Sequence, residues 1–180
     1  MTYGTATRNF TDSIFSQAHR FGNKILIVER IDSSYYNNLR RFLRKGMFIK
    51  RVTADNGETI AADTFRLTNY ELAYVDSFLE KATNSIWTSD EVNNAVIIPK
   101  DSIDYILSQP AAQKESYFYN TYGDRRILFL VKPIFLRDNT ICLFQHDMDC
   151  GFLCGGGDLT IYQKKGGNWE RYMTPFQWMR

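Results

Sequence analysis

Asp147-Met-Asp-Cys-Gly-Phe-Leu-Cys-Gly-Gly-Gly-Asp158 separates the two clearest strand signals of this chain. It holds two of the three cysteines, four of the eleven glycines and three carboxylates. Glycine at this density implies backbone with positive φ or close approach, so the stretch reads as a structured loop at one end of an antiparallel sheet. Before it, Thr140 to His146 is a strand. Ile127 to Leu136 is almost continuously apolar, as a strand covered on both faces would be, and Pro133 marks a bulge or an unpaired edge. After it, Leu159 to Lys164 is a strand, Gly166-Gly167 is a two-residue hairpin turn, and Asn168 to Tyr172 returns. A four-strand antiparallel meander is therefore expected within residues 125–178.

Helical periods dominate the rest. Phe10, Ile14 and Ala18 share one face of a helix expected from about Thr11 to Arg20, after a polar lead-in and before Gly22-Asn23. Lys24 to Glu29 is a buried strand. Asp32-Ser33 can cap a helix carrying Tyr35, Leu39, Phe42 and Leu43, which Gly46 stops. Met47 to Val52 and the residues after Asp55-Asn56-Gly57 suggest a hairpin. Thr68 and Glu71 form a capping box at the start of the best-specified helix, with Leu72, Val75, Phe78, Leu79 and Ala82 inward. Val96 to Ile98 is a short strand, and helices follow over 101–109 and from Pro110 to Gly123. The expected fold is one α+β domain: a helix-rich part over 10–124, packed on an antiparallel sheet dominated by the C-terminal meander over 125–178.

Composition bounds the function. With 44% hydrophobic and 23% charged residues the chain is globular rather than disordered. A net charge of +2 lacks the basic excess of a nucleic-acid binder, so no specific nucleic acid is expected. No apolar run approaches the roughly 18 residues that span a bilayer, so no transmembrane segment is expected. The opening residues lack the pattern of a signal peptide. This implies a cytoplasmic protein or a chain whose leader has been removed.

Lys132-Pro133-Ile134-Phe135, Arg137-Asp138-Asn139, Cys150-Gly-Phe-Leu-Cys-Gly155, the strand Leu159 to Lys164 and Gly167-Asn-Trp169 keep a distinctive order. Over residues 125–172 this resembles a group of uncharacterised bacterial proteins, many exported or lipid-anchored. These share a Cys-Gly-x-x-Cys-Gly-x-Gly loop and a Gly-x-Trp turn. The resemblance implies export to the periplasm or cell surface and no particular chemistry.

Four sets of residues are candidates for sites. Cys150 and Cys154 would lie about 13 Å apart in an extended strand, but the glycines at 151 and 155–157 let the backbone turn back and bring them to bonding distance; two reduced thiols are the alternative. His146, Cys150 and Cys154, completed by Asp149 or Asp158, approach metal-ligand spacing, although the second cysteine pair of most structural zinc sites is missing. Arg40, Arg41, Arg44, Lys45, Lys50 and Arg51 could grip a polyanion, or form a solvated face paired with acids elsewhere. Trp169, Tyr172, Phe176 and Trp178 could line a sugar-binding face or cover the sheet. No catalytic residue and no cofactor are assigned. The expected function is a non-catalytic binding or accessory module of an exported bacterial protein, with an unknown ligand or protein partner. The alternatives are a thiol- or metal-dependent enzyme centred on Cys150, Cys154 and His146, and a polyanion-binding domain using the basic helix over 35–51.

Overall fold

The computed structural model describes residues 2–16, 25–53, 59–123, 126–150 and 154–179. Along these the elements run α1 (Tyr3–Ser16), β1 (Ile25–Val28), α2 (Ser33–Leu43), β2 (Met47–Thr53), β3 (Thr59–Arg66), α3 (Asn69–Ala82) and β4 (Ala95–Ile98). Then come α4 (Lys100–Leu107), α5 (Ala111–Tyr122), β5 (Ile127–Leu130), β6 (Ile134–Leu136), β7 (Ile141–Asp149), β8 (Gly155–Lys165) and β9 (Asn168–Met179). Seven strands form one sheet in the order β4-β1-β5-β7-β8-β9, with β6 also paired to β7.

The C-terminal meander is present: β5 and β6, β7, β8 and β9 pair antiparallel in sequence order. The apolar run 127–136 is split in two, with Pro133 in the break. Gly166 and Gly167, at φ 55° and 89°, join β8 to β9. That is the pair of positive angles a two-residue hairpin turn requires.

The wholly antiparallel sheet is corrected. β1 runs parallel to both of its neighbours, β4 and β5. The connections explain this, because parallel strands need long crossovers. α2 and α3 lie between β1 and β4, and α4 and α5 lie between β4 and β5. Ile-Leu-Ile-Val, Ala-Val-Ile-Ile and Ile-Leu-Phe-Leu are short apolar runs without alternation, the composition of strands in parallel sheets. One boundary also moves. α1 starts at Tyr3, well before Thr11, because the Thr2 hydroxyl accepts the amide of Thr5 (3.3 Å) and begins the helix early. The β2–β3 hairpin forms a separate two-stranded sheet, and its expected turn at Asp55–Gly57 lies outside the described residues, as does Gly22-Asn23.

Alternation along β7 sorts the core into two faces. Ile141 and Leu143 join the cluster under α2 and α3. Cys142 and Phe144 join the cluster under α1. Phe10 of α1 is fully buried there, its ring edge-on to Phe135, Phe144, Tyr162 and Trp169 at centroid distances of 5.2–5.9 Å. A third cluster packs Ile103, Ile106 and Phe118 of α4 and α5 against Leu26, Val28 and Ile98.

Candidate functional site

The triple glycine lies in a strand, not a loop. β7 extends to Asp149 and β8 begins at Gly155, and Cys150 N–H donates to the Cys154 carbonyl (3.1 Å) between the two strand ends. The register shows what the glycine is for. Gly157 pairs with Asp147 on one side and Trp178 on the other. Over that bare strand Trp178 Nε1 donates to Asp147 Oδ1 at 2.7 Å. A Cβ on Gly157 would fall 1.7 Å from that oxygen and 2.6 Å from the indole nitrogen. The glycine is therefore the gap through which two strands two places apart exchange a hydrogen bond.

That bond sits on the wall of a cleft of about 460 Å³ between α2 and the sheet. One side is α2, with Ser34, Tyr35, Asn38, Leu39 and Phe42. The other is the sheet, with Gln145, Asp147, Leu159, Phe176 and Trp178. The size suits a small-molecule site, and the lining is aromatic with a few polar groups, the usual make-up of such sites. Its aromatic walls are braced from behind. Tyr35 stacks on Phe129, and Phe42 contacts both Phe48 and Phe176.

Among the described residues of the lining Asp147 alone is charged, and it is 5% exposed. Besides Trp178, the Gln145 amide donates to its second oxygen at 3.3 Å. Burial raises the carboxyl above its ordinary range, and these two donors and His146 only partly offset that. His146 lies on the opposite face of the sheet, stacked on Phe144. Burial lowers its pKa, so the imidazole is neutral at pH 7. Its Nδ1 is buried and lies 3.5 Å from Asp158 Oδ1 without forming a hydrogen bond, so the contact is not an ion pair.

The sequence-derived candidates fall in different places. Cys150 and Cys154 are joined Sγ to Sγ, with their Cα atoms 5.1 Å apart. Both sulfurs are thereby withdrawn from metal binding and from thiolate chemistry. His146 and Asp158 remain neighbours, but among the described residues no three His, Cys, Asp or Glu side chains gather as a metal group. The remaining thiol, Cys142, is buried, and desolvation pushes its pKa well above the usual value, so it is not a nucleophile at neutral pH.

The basic residues are dispersed. Arg40 makes a two-pronged pair with Asp76, Arg44 reaches the same carboxylate at 3.2 Å, and Glu80 lies 3.9 Å from Arg40. These contacts, chiefly the Arg40 bonds, lower Asp76 to about 2. Lys45 covers the Phe42 ring and Lys50 donates to the Tyr172 carbonyl. Arg41 is exposed, and the Arg51 side chain lies outside the described residues. The aromatic set also divides. Trp169 is buried beneath α1, whereas Phe176 and Trp178 line the cleft.

A second hollow borders the β6–β7 turn, where Arg137, Asp138 and Asn139 all take left-handed φ of 53–60°. Arg137 is held by Glu71 (2.8 Å) and the Arg66 carbonyl (2.7 Å), so its charge is already matched. The contrast with Asp147 selects the α2 cleft as the candidate site.

Sequence reasoning missed this cleft because Ser34 and Trp178 meet only in the folded chain. A signal was present all the same. Ile141, Leu143, Gln145 and Asp147 share one parity, which places a carboxylate at the end of an inward face. Among the described residues no helix is long and apolar enough to cross a membrane. No protein family, curated protein or solved structure matches the chain.

Proposed function

We propose that the chain is a non-catalytic binding module of an exported bacterial protein, and that the α2–sheet cleft receives its ligand. The observation carrying this reading is Asp147: a buried carboxylate held by neutral donors on the wall of an aromatic-lined cleft. Such a group costs stability unless a partner completes it, so its place in the cleft argues for recognition. The Cys150–Cys154 bridge supports the exported setting, because disulfides persist in oxidising compartments. The bridge also removes the free thiolate that an enzyme centred on these cysteines would use.

Equilibrium dialysis of the oxidised chain against the small-molecule fraction of a bacterial extract tests the reading, with retained compounds identified by mass spectrometry. The control is Ser34→Trp, an exposed rim position whose indole would fill the cleft. Compounds retained by the native chain and lost from this variant are expected. Equal retention by both would refute the cleft as the site. For the setting, acid-quenched protein from its natural source should yield one alkylatable thiol per denatured chain. Three would refute the oxidising compartment.

A further inference from the structure

We propose that the cleft binds a small organic cation: an ammonium group seated at Asp147, carried on an apolar or aromatic body that lies against Phe42, Phe176 and Trp178. The inference rests on the binding reading above and names the ligand class for the same site.

Sign comes first. Among the described residues lining the cleft one side chain is charged, and it is an anion. Its partners, Trp178 Nε1 and the Gln145 amide, are neutral. A carboxylate has about four acceptor positions, so two donors leave capacity for an ammonium N–H. The charged side chains of the neighbouring elements do not neutralise it: His146 and Asp158 are on the other face of the sheet and act on Asp147 in opposite senses. Arg40 of α2 and Arg44, the residue after its last turn, are committed to Asp76, and Lys45 lies over the Phe42 ring. Among the described residues Asp147 has no cationic partner, and a buried anion so placed is the complement of a cationic ligand.

The walls add a second attraction of the same sign. Aromatic faces draw cations electrostatically, Trp most strongly, and more so where water is excluded. Phe176 and Trp178 line the cleft beside the carboxylate, and Phe42, whose own ring is already stacked on Phe48 and covered by Lys45, lies 5.8 Å from Phe176 between ring centroids. A neutral ligand would use these walls and leave the charge unanswered. An anion would meet repulsion.

Three probes of one size separate these cases: phenethylammonium, 2-phenylethanol and phenylacetate. Each is titrated into the oxidised full chain while amide and indole N–H resonances are followed, with the Trp178 indole assigned by Trp178→Phe. Phenethylammonium should shift the Trp178 indole and neighbouring cleft amides. It should bind at least tenfold more tightly than the alcohol, with the acid weakest. Asp147→Asn keeps an acceptor for Trp178 and should reduce the amine to the level of the alcohol. Should that variant not fold, Phe176→Ala at a 44% exposed position serves instead. It should weaken the amine at least threefold while keeping the order of the probes, and an unchanged affinity would count against the proposal. Equal binding of amine and alcohol overturns the cation proposal and leaves a cleft that binds neutral ligands. If no probe shifts a cleft resonance, the binding reading falls with it.

Discussion

Replacing Gly157 by alanine would place a methyl carbon 1.7 Å from Asp147 Oδ1, 2.7 Å from its Cγ and 2.6 Å from Trp178 Nε1. None of these contacts is tolerable, and strand pairing on both sides prevents β8 from retreating. The carboxylate must swing away and release the indole. Losing a hydrogen bond to a charged group costs about 1.5–3 kcal/mol, and forcing a methyl into packed space about 1–3 kcal/mol. Alanine's better strand propensity returns about 0.5–1 kcal/mol. The net expectation is a loss of about 1.5–5.5 kcal/mol, a large part of the roughly 5–15 kcal/mol that holds a typical domain together. Urea denaturation followed by far-ultraviolet circular dichroism and tryptophan fluorescence reads this directly. Adding Asp147→Ala removes the two clashing carboxylate atoms and lets the Trp178 indole turn aside. The double variant should therefore be more stable than the sum of the two single losses implies, by about 1–3 kcal/mol. An unchanged or raised midpoint for Gly157→Ala would show that the glycine does not serve this contact. Strict additivity in the double variant would refute the explanation even if the single loss were seen.

Other outcomes follow from named contacts. Thr68 Oγ1 accepts the Glu71 amide while the Glu71 carboxylate accepts the Thr68 amide, so Thr68→Ala should lower stability by about 1 kcal/mol, read as a shift in the same urea midpoint. Reducing the Cys150–Cys154 bond, which closes a very short loop, should cost at most about 2 kcal/mol, measured by comparing denaturation with and without a reductant. Asp147 sets a pH dependence. Its folded pKa is raised, so its contribution to stability is fully present below the unfolded pKa of about 3.9 and is lost as pH rises through the folded value. Asp147→Asn should accordingly gain stability relative to the native chain between acid and neutral pH. His146 and Asp158 across the sheet, and the Trp178 and Gln145 donors, are the groups acting on it. A difference that does not change with pH would contradict the burial of that charge.

Much of the fold was legible where chemistry is local. Thr68 and Glu71 announce a helix start because the two side chains satisfy amides within one turn. Gly166-Gly167 announces a hairpin because only such residues take two positive φ angles cheaply. Strand direction was not legible. Ile25–Val28 is apolar at every position, so it is recognisably buried, yet nothing within four residues says which neighbours it has or how they run. The glycines at 155–157 misled for a physical reason. A missing Cβ suits both a tight turn and a crowded strand, and here Asp147 and Trp178 supply the crowding. The cleft depends on α2, β7 and β9 converging, which no local pattern records.

The position of β1 in the sheet has a consequence for how the chain is made. Ile25 pairs with Ala95, 70 residues later, and Leu26 pairs with Ile127, 101 residues later. At roughly 5–20 residues per second, a ribosome produces the second partner about 5–20 s after the strand itself. Until Ala95–Ile98 is made Ile-Leu-Ile-Val has neither neighbour, and until Ile127 it has only one, although the β2–β3 hairpin and α3 can form from contiguous residues as they emerge. Nascent chains that have not reached β4 thus present a bare β-forming segment, those that end between β4 and β5 leave one of its edges open, and their solubility depends on what shelters residues 25–28 until synthesis reaches β5.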